Sequence, residues 1–285
     1  MPEGDTIFWT AARLRPLLQG QTILAARSRV PGLAADALVQ RTVQSVEARG
    51  KHLLIGLDNR STIHSHLGMH GAWHVYARGE TWQKAEWQAA LVVEVPGAVC
   101  VCFHPQILEL LTAAQLQRHA HLSQLGPDLL GDNIEEAEVL RRFRGHNPIP
   151  IGEAVMNQTI VCGIGNVYKS EVLFIARVHP FQTVGTLSDE QILQIVRTAI
   201  ECMQRNLDGY PRRTRLGLSG GRTWVYGRQG KRCFVCGEPI RLRRQGELGR
   251  TTCWCPRCQP LSLVPSASTS SRIPAQSSTR RKPRP

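Results

Sequence analysis

Apolar residues recur at Ile7, Ala11, Leu14 and Leu18, at spacings of four, three and four. That period places them on one face of a helix over 5–20, with Asp5 or Thr6 as N-cap and Gly20 as stop. Pro16 falls late in the pattern and should bend or loosen the last turn. From about residue 22 to 104 the pattern changes to short apolar runs bounded by turn residues. These runs, at 43–46, 53–57, 63–66, 91–95 and 99–103, read as strands, the last two joined as a hairpin by Pro96-Gly97. They predict a β-sandwich built over the first helix, with the strands ending at Phe103 and Pro2 at the sandwich edge.

Beyond Phe103 the helical period returns. Thr112 and Gln115 have capping-box spacing and open a short helix through His121. Leu125-Gly126-Pro127-Asp128 breaks the chain and reads as a hinge. From about 134 to 207 the reading is helical, with helices near 152–161 and 167–176. The clearest helix, 188–207, has a Ser188/Gln191 capping box. Its buried stripe is Ile192, Ile195, Val196, Ala199, Ile200 and Met203. Residues 208–222, rich in Gly, Pro and Arg, read as a mobile loop. The expected organisation is α+β and multidomain: a catalytic sandwich over 1–120, a helical domain over 121–222, a cysteine-bearing finger over 223–260, and a disordered basic tail over 261–285.

Charge narrows the partner. The chain has 285 residues and a net charge of +13, with a pI near 9.9. This favours a polyanion, nucleic acid first, over an acidic lipid surface or a merely solubilising one. No apolar run approaches the roughly 18 residues of a membrane span, and Asp5 and Arg13 spoil any signal peptide. A cytoplasmic protein without a membrane partner is expected, nucleoid-associated if bacterial. The nine cysteines are odd in number and clustered, which points to reduced thiols and metal ligation.

Several constellations carry chemistry. Cys233-x-x-Cys236 and Cys255-x-x-Cys258, separated by 18 residues, suit one tetrahedral structural Zn²⁺ on a β-hairpin. Cys253 competes with Cys255 as ligand, although the spacing favours Cys255. Gly163-Ile164-Gly165-Asn166 permits a tight turn whose N–H groups, with the next helix's N-terminus, make a phosphate site flanked by Asn166 and Lys169. Arg49-Gly50-Lys51-His52 raises a lysine on a turn between strands. In His64-Ser65-His66-Leu67-Gly68-Met69-His70-Gly71, alternating histidines offer ligand atoms, but no Cys or carboxylate stands at a suitable spacing. Met69 has the size of a wedge that unstacks bases. Finally, removal of Met1 leaves Pro2 as a secondary amine. An α-amino group has a pKa of about 8, so much of it is available for attack on carbon near neutrality. Glu3 stands beside it.

Met-Pro-Glu-Gly, Gly-Lys-His-Leu, His-Leu-Gly-Met-His-Gly, Leu-Gly-Pro-Asp, Gly-Ile-Gly-Asn-x-Tyr-x-x-Glu and the two CxxC pairs occur in that order over residues 1–260. In this the chain resembles the formamidopyrimidine-DNA glycosylase and endonuclease VIII family of base-excision repair. The resemblance implies an N-terminal β-sandwich, a helix–two-turn–helix domain and a zinc finger. It also implies a bifunctional glycosylase and abasic-site lyase acting as a monomer on damaged and abasic double-stranded DNA. Pro2 would be the nucleophile, Glu3 the acid/base and Lys51 the basic partner at a phosphate. Asn166 and Arg250 match the family's phosphate-binding pair, and Met69, with His70 beside it, matches the residue that fills the void left by a flipped base.

Three departures bear on the substrate. Thr6 stands where the family often has glutamate. Phe103-His104-Pro105-Gln106-Ile107-Leu108 lacks the Arg-Arg-Phe segment of 8-oxoguanine enzymes, and 208–222 lacks the longer base-capping loop. Together with Met-Pro-Glu-Gly-Asp they favour the endonuclease VIII branch and oxidised pyrimidines. The rivals are an 8-oxoguanine-type glycosylase and a non-catalytic protein that binds damaged DNA.

Overall fold

The computed structural model describes residues 2–209, 211–215 and 221–261. The predicted tail past Leu261 and the centre of the predicted 208–222 loop lie outside the described residues. Eight strands follow the first helix, α1 (Gly4–Leu18): β1 (Ala25–Ser28), β2 (Val43–Arg49), β3 (His52–Leu57), β4 (Thr62–His66), β5 (Ala72–Tyr76), β6 (Ala89–Val95), β7 (Ala98–Phe103) and β8 (Ile107–Leu111). They form two antiparallel sheets, ordered β1-β6-β7-β5 and β2-β3-β4-β8. Alternation decides the faces: Leu53 and Ile55 of β3, Leu91 and Val93 of β6, and Cys100 and Cys102 of β7 share one core with Ile7, Leu14 and Leu18 of α1.

Some expectations change. Glu3, rather than Asp5 or Thr6, is the N-cap of α1. The helix continues through Pro16 to Leu18, its late turn tied to β2 where the Arg15 guanidinium donates to Val46 O at 3.0 and 2.9 Å. The strands do not end at Phe103. The chain reverses at His104, where φ is +45°, and β8 pairs with β4 so that Glu109 faces His64. The outer face of this sheet, at Leu54 and Leu111, is covered by Leu116, Leu122, Leu125 and Cys162. The capping box of Thr112 and Gln115 is present, but α2 (Ala113–Gln117) stops before His121.

The helical part comprises α3 (Glu136–Arg144), α4 (Ile151–Ala154), α5 (Asn166–Ile175) and α6 (Asp189–Gln204). Helix α4 is a single turn rather than 152–161. Asn157 Oδ1 draws the N–H and the hydroxyl of Thr159 into a local turn that competes with helix. Helix α6 has the predicted Ser188/Gln191 box. Its stripe from Ile192 to Met203 packs on Tyr168 and Leu173 of α5 and on Phe143 of α3. In the finger, β9 (Arg241–Gln245) and β10 (Arg250–Trp254) pair, and Ile240 and Val225 pack on Phe174 of α5.

The predicted hinge at 125–128 is a rivet. Asp128 Oδ2 accepts from Gly50 N–H at 2.6 Å and Oδ1 accepts from Leu130 N–H at 3.0 Å. Gly126 N–H donates to Gln158 O at 2.9 Å, and a Cβ at Gly126 would lie 2.4 Å from Ile160 O. Bonded to the sandwich on one side and the helical core on the other, this segment fixes the turn that carries Lys51. No helix among the described residues is long and apolar enough to cross a membrane.

Candidate active site and nucleic-acid interface

The centre of the site is the start of α5. A helix leaves its first N–H groups without intrahelical partners and carries partial positive charge there. Here the acceptor is Glu3, which is wholly buried. Its Oε2 accepts from Gly165 N–H at 2.8 Å and from Tyr168 N–H at 3.3 Å, and its Oε1 accepts from Val167 N–H at 2.8 Å. Gly4 N–H donates to Gly163 O at 2.9 Å. The glycines of the 163–165 turn make this approach feasible, since a Cβ at Gly165 would lie 2.4 Å from Glu3 Cδ. The anion position expected to receive a DNA phosphate at this turn is therefore filled from within the protein.

Pro2 is partly exposed and lines a cavity of about 460 Å³ together with Thr6, Val167, Arg212, Arg222, Thr223 and Tyr226. Arg212 ties this pocket to the buried site. Its Nε and Nη2 donate to Asp5 at 2.7 and 2.5 Å, its Nη1 lies 3.8 Å from Glu3 Oε1, and its guanidinium covers the Tyr168 ring. The Tyr168 hydroxyl donates to Asp5 Oδ2 at 3.0 Å. Nothing local in the sequence marks Arg212. Asp5 has the sequence position of a helix cap, and the pair is 207 residues apart along the chain.

Lys51 sits on the two-residue turn between β2 and β3, where Arg49 pairs with His52. Desolvation lowers its pKa; Glu3 opposes that shift, and Arg250 and Arg212 reinforce it. Four predicted residues thus converge from the N-terminus, the sandwich turn and the finger. Asn166 begins α5 and its Nδ2 donates to Thr251 Oγ1 at 3.2 Å. Two buried atoms of the predicted phosphate pair, Asn166 Oδ1 and Arg250 Nε, have no hydrogen-bond partner among the described residues. Lys169 is placed differently from its neighbours. It is 1% exposed, its Nζ donates to Thr251 O at 3.1 Å, and burial lowers its pKa to about 8. It joins α5 to the finger hairpin in this structure.

Met69 is 60% exposed and His70 is exposed beside it, on the loop leaving β4. That loop rests on the β7–β8 connection: Gln106 N–H donates to His66 O at 2.8 Å, and a Cβ at Gly68 would lie 2.8 Å from Gln106 Cβ. In the finger, the sulfurs of Cys233, Cys236, Cys255 and Cys258 all lie within 4.8 Å of one another, a group that includes Cys255 and not Cys253. Two of the separations are 3.4 and 3.8 Å. A tetrahedral ion with metal–sulfur bonds of about 2.3 Å requires roughly 3.8 Å, so the donor set fits a metal. The motif residue Glu171, also wholly buried, anchors this unit. It accepts from the N–H groups of Trp224, Val225 and Tyr226 at 2.7, 2.8 and 2.7 Å and from the Thr214 hydroxyl.

Residues 1–106 match the formamidopyrimidine-DNA glycosylase N-terminal domain and residues 125–214 match the formamidopyrimidine-DNA glycosylase H2TH domain. The chain is 38% identical to a probable endonuclease 8 2 of Streptomyces coelicolor, over 91% of this chain and 94% of that one. It is also 38% identical to the DNA-(apurinic or apyrimidinic site) lyase Nei2 of Mycolicibacterium smegmatis, over 92% and 100%. Among solved structures, the MutM (Fpg) protein of Thermus thermophilus superposes with a TM-score of 0.77 at 27% identity, covering 92% of this chain and all of the other. This chain belongs to the formamidopyrimidine-DNA glycosylase family.

Proposed function

We propose that this protein is a bifunctional DNA glycosylase and abasic-site lyase that removes oxidised bases, pyrimidines in preference, through Pro2. The observation that carries the reading is the placement of Glu3. Its carboxylate is locked on three helix N–H groups, which fixes the adjoining Pro2 at the mouth of a cavity able to receive a flipped nucleotide.

The Pro2 nitrogen lone pair forms a bond to C1′ while the bond from C1′ to the base breaks, and the departing base takes that electron pair and a proton. Opening the sugar ring breaks C1′–O4′, puts a proton on O4′ and leaves an iminium. Because Pro2 is a secondary amine, that iminium stays cationic without an added proton. It acidifies C2′. Loss of a C2′ proton expels the 3′ phosphate, a second elimination expels the 5′ phosphate, and water releases the remaining sugar from Pro2. Glu3 is the acid/base at the ring oxygen and C2′. Lys51 contacts a phosphate and, in its protonated form, limits protonation of the Pro2 amine by like-charge repulsion.

Asn166 and Arg250 grip the backbone from α5 and the finger. Turning the Asn166 amide over lets Oδ1 accept from Thr251 while Nδ2 points at a phosphate oxygen, which removes one unpaired acceptor. The four cysteines hold one Zn²⁺, which folds the finger that presents Arg250. Met69 fills the emptied stack, with His70 at its flank. Lys169 adds positive charge behind Asn166. The pyrimidine preference rests on Thr6 in the pocket and on a β7–β8 connection that has no arginine.

Borohydride trapping tests the reading on protein with Met1 removed. Abasic DNA should yield one covalent species, and Pro2→Gly should weaken or abolish it. A processed wild-type protein that traps nothing would make it a DNA-binding protein without chemistry. Run on duplexes carrying 5-hydroxyuracil, thymine glycol or 8-oxoguanine, the same assay would overturn the pyrimidine preference if 8-oxoguanine were cut fastest.

A further inference from the structure

We propose a second metal site on the outer face of the β3–β4–β8 sheet, formed by His64 Nδ1, Glu109 Oε1 and His119 Nε2 and selective for a divalent transition ion such as Zn²⁺. It shares no residue with the four-cysteine cluster or with the Pro2 pocket. The carboxylate missing from the histidine motif comes from β8, and the second imidazole comes from the chain just after α2.

The three ligand atoms lie within 4.8 Å of one another. His64 Nδ1 and His119 Nε2 each stand 2.8 Å from the same oxygen, Glu109 Oε1. A carboxylate has two oxygens with room for about four hydrogen bonds, yet both imidazoles converge on one. Their rings are nearly perpendicular, at 81°, so the two nitrogens approach that point from different directions. Tetrahedral coordination with bonds of about 2.1 Å separates donor atoms by roughly 3.4 Å. The side chains therefore need to open by only some tenths of an ångström.

The surroundings fit as well. His64 is fully buried, and its other nitrogen, Nε2, is held at 2.8 Å by His52 Nδ1. A ligating imidazole commonly has its second nitrogen fixed in this way. Glu109 accepts hydrogen bonds from the His64 and His119 imidazoles, and no lysine or arginine pairs with it among the described residues. A half-buried carboxylate between two imidazoles is an uncompensated negative charge that a divalent ion neutralises. Two nitrogens and one oxygen suit Zn²⁺, Co²⁺ or Ni²⁺ better than Mg²⁺ or Ca²⁺. The partly exposed edge, next to His121, leaves a fourth position for water.

Binding costs a proton shift at each imidazole: His64 Nδ1 donates to Glu109 in the metal-free form, so a metal there moves that proton to Nε2 and reverses the hydrogen bond with His52 Nδ1. Leu122 N–H donates to His119 Nδ1 at 3.2 Å, so in the metal-free form the His119 proton sits on Nε2. A metal on Nε2 moves that proton to Nδ1 and gives up this long bond. The site should therefore release its ion to a chelator well before the four-thiolate cluster does.

The test uses the full chain, treated with a mild chelator that spares thiolate-bound zinc and then titrated with Zn²⁺ or Co²⁺. Wild type should hold two metal equivalents. The second should bind Co²⁺ with weak visible bands that lack thiolate charge transfer. Glu109→Gln and His119→Gln keep hydrogen-bonding capacity at partly exposed positions. Each should hold one equivalent with an unchanged circular dichroism spectrum. One equivalent in saturated wild type, or a second equivalent retained in both variants, would overturn the proposal.

Discussion

Helix α5 is fastened by two buried carboxylates, Glu3 bonded to its N-terminus and Glu171 carried on the helix itself, with nearly the same chemistry and opposite consequences. Glu3 and Glu171 are both wholly inaccessible, and each accepts from three backbone N–H groups. Glu171 adds the Thr214 hydroxyl and closes its surroundings completely. Burial pushes its pKa up, and the four hydrogen bonds oppose that shift. Its role is to hold the 224–226 segment, and through it the finger, against α5. Glu3 instead has the Arg212 cation 3.8 Å away and Lys51 within electrostatic reach, and its neighbour Pro2 opens on a cavity. Hydrogen bonding to three amides makes an anchor in both cases. What differs is the surroundings: only Glu3 adjoins the N-terminal proline and an open pocket, which is what the proposed chemistry requires.

Substitution should separate the two most sharply. Glu3→Gln removes a proton acceptor from the reacting centre, so single-turnover cleavage of abasic DNA should fall about 10²–10⁴-fold. Glu171→Gln should leave that rate within about threefold but lower stability by about 1–3 kcal/mol, because an amide replaces a carboxylate that satisfies buried donors. Hydrogen exchange at 224–226 should rise at the same time. Equal losses of rate in both variants would erase the distinction.

Gly165→Ala probes the same contrast from the backbone. The new Cβ would stand 2.4 Å from Glu3 Cδ, so the carboxylate must leave its amides. Abasic-site cleavage should drop by about 10²-fold, as expected when a catalytic group is misplaced by about an ångström. Affinity for uncleavable DNA, measured by anisotropy, should stay within about threefold. Intact cleavage would mean that Glu3 acts from some other position.

The smallest effect concerns Lys169, which lies on α5 between the two carboxylates. Its folded pKa, about 8, is below the ordinary 10.5, so between these values the unfolded chain binds more protons and stability rises with pH. From pH 8 to 10 this contributes roughly 2 kcal/mol to the wild type. Lys169→Met should lose that share of the rise, read as the difference between the two denaturation profiles. Parallel profiles would show that the ammonium is better solvated than its burial implies.

What the sequence revealed followed the range of each interaction. Capping boxes at Thr112 and Ser188, the Pro96-Gly97 hairpin and the two CxxC knuckles are local, and each was legible. Strands β1, β5 and β8 were not. Ala25–Ser28 has little apolar content, and Ile107–Leu111 (Ile-Leu-Glu-Leu-Leu) has no period of two and is rich in helix formers. Missing β8 also hid Glu109, and with it the carboxylate that meets His64. In the candidate site Pro2, Glu3 and Lys51 were marked by motifs. Arg212, by contrast, is defined only by a partner 207 residues away. The Gly-Ile-Gly-Asn turn, expected to receive a phosphate, has its N–H groups on a carboxylate instead. That Glu3 supplies this carboxylate was invisible to any local pattern.

The distance between Glu3 and its amides has a consequence for biosynthesis. The bonds span 162 to 165 residues of chain, so Glu3 leaves the ribosome long before α5 exists. At about 5–20 residues per second the delay is of the order of ten seconds or more. During that time Pro2 is an amine at the end of a loose strand, with no pocket around it and no carboxylate held beside it. Under the proposed mechanism the nascent chain therefore cannot cut DNA. Reactivity would appear only when the helical core closes, which would make completion of the fold the step that arms the enzyme.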